Sequence, residues 1–563
     1  MRNNKSLVLF DESENNNFEN GFDELIKPYK VIRDPVHGDI WITKIEEAIV
    51  DMKVFQHLRT LKQLGPTYFV YPSATHSRFE HSLGTLHMAK TIIEAINQNY
   101  RWNYSDILLS SEDTFITRIV ALIHDLAHIS FGHTLEDEGE LFKEKKQWID
   151  EKRRSEILEK QVNPLLSECL RAKDISEEKI KDIQEEIKKI LIAEEKGEEA
   201  IKDLQRPFIA DIVGNTICAD LLDYLKRDAY FTGLKLTYDD RIISYFVIKK
   251  YNDKPRAAIL LERRPNVVRK DILSYCIDLL NLRYSLAERA YYHRVKTIIS
   301  AMIIKMIDRA LRAKIITFED LMVMGDEVLL SEISNVSVKK NDVDGLAAKM
   351  IAEDVIIRKI YDPVYSKFYE TSTTKLKECI RTYRDSTKRY IVENYLRSVF
   401  SNKNLYEISP VGFVLYLPKE DMGKAALTKT YRQSFKPPVK TLEQLTEKEY
   451  PAKYEEIKAI NGSYNSLWQF YVLLRKEDHE KLNELNIPDD LIQRVIEDII
   501  LEKERPSALV DLRTIFLEKQ GVGAFSNDVK QETIDTLCSS KYHPYEDNIE
   551  DIDKLLLQYQ KSS

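Results

Sequence analysis

The stretch Ala121–Asp137, ALIHDLAHISFGHTLED, decides how this chain is read. An apolar helical run from Phe115 to Ile123 delivers His124 and Asp125 side by side. His128 follows at i+4 from His124, a spacing that predicts one shared helix face. His133 comes just past Gly132, where a helix is expected to end. Neutral imidazole and carboxylate both suit first-row divalent metals, so the cluster reads as a candidate metal centre. Taken alone, a His-Asp pair is more often a hydrogen-bonded core histidine beside a solvated carboxylate. The surrounding sequence changes that weighting.

Outward from this stretch, composition sets the frame. The chain has 563 residues, 43% hydrophobic and 31% charged, which calls for two or more packed lobes. Gly (16) and Pro (17) are sparse, favouring helix over sheet. Five cysteines without a CxxC pair argue for reduced thiols in a cytoplasmic compartment and against a disulfide framework or zinc ribbon. Leu7–Phe10 is too short for a signal peptide, and no apolar run reaches the length of a membrane span. A net charge of −8 disfavours nucleic-acid binding by the bulk surface.

The expected fold class is mostly α, with small β-hairpins and a mixed α/β C-terminal lobe. Residues 1–28 are acidic and Asn-rich and read as a disordered tail. Val31–Ile32 and Ile40–Ile42 flank a turn as two short strands. One helix is expected from Ile45 through Leu64, stopped by Gly65-Pro66, and another from Arg78 to Asn97 carrying His81. Residues 140–206 form a charged insertion in which Ile180, Ile183, Ile187 and Ile190 recur at helical spacing, a solvated amphipathic pattern. The basic runs Lys143–Lys146 and Lys152–Arg154 read as solvated faces. Asp220, Asp223, Tyr224 and Asp228 then punctuate a strongly apolar helix, and carboxylates kept in such company usually face something. Residues 242–263 alternate like a hairpin, Ile272–Lys305 reads as one helix, Pro410–Pro418 as a strand and SFKPPVK as a linker. The expected domains are a helical body at 29–310 that carries the His-Asp stretch, a helical extension at 311–430 and a C-terminal lobe at 431–563.

Four candidate ligands come from three helices: His81, His124, Asp125 and Asp220. Two histidines and two carboxylates suit Mn, Fe, Mg or Zn alike.

With the flanking text KVIRDPVHG, FQHLRTLKQLG, HSRFEHSLG, HDLAHISFGH, ADLLDYLKRDAYFTG and RAYYHRV, the set resembles the HD-domain deoxynucleoside triphosphate triphosphohydrolases, the family of the sterile-alpha-motif/HD enzyme. The resemblance runs from about Tyr29 to about Tyr369, without a sterile-alpha-motif domain. It implies that His81, His124, Asp125 and Asp220 hold the metal. It implies that His128 and His133 are active-site imidazoles, with His133 protonating the departing 5′ oxygen. Arg78 and Arg283 would meet phosphates, supported by His293, while Gln63, Leu64, Tyr224, Asp228 and Tyr291 would hold the deoxyribose. Lys30, Val31, Asp51, Gln56 and Arg59 match positions that bind a GTP or dGTP activator. A homo-oligomer, tetramer or dimer, is implied by the same resemblance.

The sequence departs from the family twice. A His-Glu pair is replaced by Asp150 and Glu151, and a phosphate-contacting Lys by Leu221. Loss of a charge-assisted hydrogen bond removes about 1.5–3 kcal/mol of binding. Two rival functions are therefore carried: an HD phosphohydrolase acting on another nucleotide or a nucleic-acid end, and a catalytically weak dNTP sensor.

Overall fold

The structure is a computed structural model describing residues 21–138, 152–264, 267–419, 422, 428–432, 439–503, 506–539 and 549–562. It is 63% helical with a few small sheets, the fold class that the sequence predicts. Among the described residues no helix is long and apolar enough to cross a membrane, and none of the five cysteines is in a disulfide.

Lys30–Asp34 pairs antiparallel with Gly38–Ile42, Ile32 opposite Ile40. The turn is fixed by Asp34, whose Oδ1 accepts from the amides of Val36 (2.9 Å) and His37 (2.8 Å). Ile40 and Ile42 face the core and Trp41 faces outward, as strand alternation requires. Within the expected tail, Gly21–Leu25 is a short helix whose Phe22 ring lies 5.7 Å from that of Phe115.

The helix expected over Ile45–Leu64 is not continuous. Thr43 and Glu46 form a capping box for Lys44–Val50, Met52 is extended, Lys53–His57 is a second short helix, and Leu58–Thr60 is a single tight turn. The cause is tertiary. Leu61–Gln63 leaves the helix to hydrogen-bond the strand-like residues before the next helix: Gln63 N donates to His76 O (3.0 Å) and Arg78 N to Leu61 O (3.0 Å). That exchange turns Gln63 and Leu64 toward the interior cavity described below.

Arg78–Arg101 is the central helix, four residues longer than expected, buried between Ser111–Ile123 and Ala219–Thr232. Gly84 lets Ala219–Thr232 come this close, because a Cβ there would lie 1.8 Å from Asp223 Oδ1. The insertion is amphipathic as expected, but its apolar stripe is not solvated. Ile180, Ile183, Ile187 and Ile190 of Glu177–Lys196 are at most 1% exposed, because they pack against Ser111–Ile123 and Pro207–Val213 and join the main core. Arg153 and Arg154 donate to the carbonyls of Met322 (3.0 Å) and Leu191 (2.7 Å), so they serve the fold rather than the solvent. Lys143–Lys146 lies outside the described residues.

Ile272–Lys305 is two helices, Lys270–Leu286 and Arg294–Arg312, separated by a wide turn at Ala287–Tyr291 and a break where His293 caps the second. The 242–263 hairpin forms as Phe246–Tyr251 and Lys254–Leu260. Lys429–Tyr431 joins Lys254–Leu260 in parallel and Val439–Thr441 completes the sheet. The boundary expected between residues 430 and 431 thus falls inside a strand, and most of the expected linker lies outside the described residues. Buried Lys429 reaches Asp211 (3.4 Å) and Glu198 (3.2 Å), which also pair with Arg256. Phe413–Tyr416 is a strand as expected, in a three-stranded sheet with Asp362–Phe368 and Gln469–Leu474.

Candidate metal centre and substrate cavity

His124 is the first residue past the helix Ser111–Ile123, and its Nδ1 donates to Ala121 O at 2.9 Å. That bond fixes the tautomer and leaves Nε2 as a lone-pair donor, buried and without a hydrogen-bond partner. His81 Nδ1 donates to Asp223 Oδ2 at 2.7 Å, which likewise frees its Nε2, 2.9 Å from Asp220 Oδ1. Ligand atoms of His81, His124 and Asp220 all lie within 4.8 Å of one another. Asp125 borders them, with Oδ1 3.5 Å from His124 Nε2 and Oδ2 3.9 Å from His81 Nε2. The donor set fits a divalent metal: two oriented imidazole lone pairs, one of them orphaned, and two carboxylates.

The electrostatics agree. Burial works against a charged His81, yet the carboxylates Asp220 and Asp223 outweigh it and raise its pKa to about 10. A proton there takes the place of the positive charge that the cluster demands. Burial lowers the pKa of His124 and keeps its ring neutral, as a ligand must be. Burial would raise Asp125, but His124 and Arg78 beside it hold it well below the usual carboxylate range.

Asp223 organises the back of the site. Besides His81 it accepts from His37 Nε2 (2.6 Å) and from Arg227 Nε (3.0 Å) and Nη2 (2.9 Å), and Arg227 Nη1 continues to Asp34 Oδ2 (2.8 Å). The sequence places Asp223 on the face of Asp220, but nothing local ties His37 or Asp34 to it.

His124 and His128 do not share a helix face, because the helix ends at Ile123 and His128 lies in the following turn. His128 still reaches the site. Its Nε2 is 3.2 Å from Asp125 Oδ1, its Nδ1 donates to Glu136 Oε2 (2.7 Å), and its ring lies 5.0 Å from that of His133. Burial lowers the His128 pKa, and Glu136 and Asp125 more than reverse this, to about 9. Gly132 precedes a helical turn at Thr134–Glu138 rather than ending one. Its φ of +40° and the approach of Arg78 Nη2, 2.6 Å from where a Cβ would be, both require glycine.

A cavity of about 270 Å³ is lined by none of the four candidate ligands, but His133 lines it. So do Gln63, Leu64, Tyr224, Asp228, Arg283 and Tyr291. Asp228 accepts from His76 Nε2 (2.9 Å) and from the Tyr291 hydroxyl (2.5 Å). Arg78 stands elsewhere: it is 1% exposed and donates to Asp125 Oδ2 at 2.8 Å. His293 is not in the cavity wall, and its Nδ1 accepts from Val295 N at 3.3 Å. Leu221 is 2% exposed in the main core, and the lysines in the cavity wall are Lys296 and Lys419. Asp150 and Glu151 lie outside the described residues.

The five residues matched to an activator site are outside this cavity. Lys30 pairs with Glu47 (2.7 Å), Val31 is 43% exposed, and Asp51 ends the helix Lys44–Val50. Gln56 donates to Val50 O (2.7 Å) and accepts from Arg59 Nε (2.9 Å), whose guanidinium lies 3.4 Å from the Phe79 ring centre.

Residues 78–228 match the HD domain family, a span containing all four candidate ligands. An uncharacterized protein of Methanocaldococcus jannaschii is 26% identical over 86% of this chain and 87% of its own. The deoxynucleoside triphosphate triphosphohydrolase SAMHD1 of Danio rerio is 28% identical over 71% of this chain and 67% of its own, and that of Homo sapiens 30% identical over 49% and 43%. The match thus takes in less than half of the human protein. Fold, donor set and domain match together define an HD-domain phosphohydrolase of the metal-dependent class. Within that class, the chain is similar to the deoxynucleoside triphosphate triphosphohydrolases.

Proposed function

We propose that the protein hydrolyses deoxynucleoside triphosphates to a deoxynucleoside and inorganic triphosphate. The observation that carries this is the orphaned, tautomer-fixed Nε2 of His124 beside His81 and Asp220, together with a cavity whose lining residues Tyr224 and Arg283 lie within electrostatic reach of Asp220. His81, His124, Asp125 and Asp220 would hold the metal. When bound it neutralises phosphate charge and lowers the pKa of water toward ~7.

The chain's own residues supply the rest. Arg283 offers a planar donor fork to phosphate oxygens. Asp228 has lone pairs left after binding His76 and Tyr291 and accepts from the sugar 3′-hydroxyl, while Leu64 and the Tyr291 ring wall the 2′ position. His133, exposed to the cavity, protonates the departing 5′ oxygen. His128 stays positioned by Glu136 and adds positive charge beside the phosphates. Binding of GTP or dGTP at Lys30, Val31, Asp51, Gln56 and Arg59, and assembly into an oligomer, extend the same reading.

Product analysis tests it. Each dNTP is incubated with the protein and Mn or Mg, with and without GTP or dGTP, beside His124→Ala/Asp125→Ala. Inorganic triphosphate that vanishes in the double variant is the expected result, and stimulation by a guanine nucleotide supports the activator site. Stoichiometric dNTP binding without product would replace the enzyme reading with a sensor.

A further inference from the structure

The C-terminal lobe contributes one residue to the cavity wall. Tyr464, on the helix Pro451–Asn465, lines the cavity together with Lys419 and Met422. This helix packs on Lys270–Leu286, and the Tyr464 ring meets that of Tyr284 edge-on at 5.2 Å. The residue is 4% exposed, and its hydroxyl is buried without any hydrogen-bond partner. A buried phenol almost always finds a partner. Tyr284 lacks this feature, since its hydroxyl donates to Glu288 at 2.9 Å.

In the cavity wall, Asp228 accepts from both His76 and Tyr291. Arg283 lies within electrostatic reach of Tyr464, Tyr224, Tyr291 and the candidate ligand Asp220. Tyr464 therefore stands near the guanidinium that also reaches Asp220 of the metal cluster. Burial pushes its hydroxyl up to about 12, so it remains a neutral donor at physiological pH. A neutral donor beside a guanidinium suits an anionic oxygen.

We propose that Tyr464 is a substrate-binding residue whose hydroxyl donates to a phosphate oxygen of the nucleotide alongside Arg283. The HD body then lacks a complete phosphate subsite until the C-terminal lobe is in place. This rests on the nucleotide triphosphatase reading for the identity of the ligand, but its test does not require turnover.

The metal-loaded full chain is titrated calorimetrically with inorganic triphosphate and, separately, with deoxyadenosine. Tyr464→Phe removes one oxygen and keeps the ring. Triphosphate binding is expected to weaken roughly tenfold to a hundredfold, the range for a hydrogen bond to a charged group, with deoxyadenosine binding and melting temperature unchanged. Tyr284→Phe is expected to alter neither affinity. Unchanged triphosphate affinity in Tyr464→Phe, or a loss confined to deoxyadenosine, overturns the proposal, as does an equal loss in Tyr284→Phe. Wild-type protein that binds triphosphate through Tyr464 yet releases none from any dNTP would overturn the enzymatic reading alone. Where turnover is present, Tyr464→Phe should raise KM and leave kcat in place, the signature of uniform binding.

Discussion

His37 and Asp223 are 186 positions apart in sequence and joined by a 2.6 Å hydrogen bond. Through that carboxylate the turn of the N-terminal hairpin reaches His81, since the other Asp223 oxygen takes the His81 Nδ1 proton at 2.7 Å. Partners that orient a ligating imidazole typically tune metal affinity by about 10–100-fold. His37→Ala is expected to weaken divalent-metal binding to that extent while secondary structure, followed by circular dichroism, persists. Titration with Mn checks it, and an unchanged affinity would show that Arg227 alone holds Asp223 in place.

Asp326 ties two cavity-forming segments together. Its carboxylate accepts from Lys62 N (2.9 Å), just before Gln63, and from Phe131 N (2.7 Å), just before Gly132 and His133. Burial raises its pKa to about 6, which still leaves it an acceptor-only carboxylate at neutral pH. Asp326→Ala strands these donors, at a cost of about 1–3 kcal/mol for each that stays buried. Both a lower melting temperature and a higher KM are expected, since Gln63 and His133 lose their common anchor. Full activity in a folded Asp326→Ala protein would refute this role.

His479 bridges Asp362 (Nδ1, 3.0 Å) and Asp489 (Nε2, 2.9 Å), a geometry that needs both ring nitrogens protonated. Burial lowers its pKa, but the two carboxylates raise it above the ordinary value of 6.5. A histidine raised on folding contributes stability fully below its unfolded pKa and loses it as pH climbs through the folded one. The stability difference between wild type and His479→Ala should therefore be largest below pH 6.5 and shrink in the alkaline direction. Denaturant melts across that range would contradict this if the difference grew with pH.

What the sequence disclosed follows from the range of the interactions. His81, His124, Asp125 and Asp220 stand out because polar residues in apolar helical runs are visible locally, and the fold brings them into one cluster. The partners that orient them are not visible, because His37–Asp223 and His76–Asp228 pair across more than 150 residues. The misjudged helices have the same origin. Apolar spacing continues smoothly to Leu64 and past Tyr292, but the chain leaves the helix after Thr60, where Gln63 N donates to His76 O and Arg78 N to Leu61 O, and breaks at His293, which caps the next helix. The paired face of His124 and His128 fails because periodicity cannot register where a helix stops.

The sheet formed by the 246–260 hairpin and the strand Lys429–Tyr431 has a consequence for how the molecule can be divided. Without its distant partner, Lys254–Leu260 would become a bare edge, with Ile259 and Leu260 beside unpaired peptide groups. Asp211 would also lose the Lys429 ammonium that shares its charge with Arg256. The catalytic segment is therefore not a detachable cassette: cut from the rest, it would offer a template for self-association.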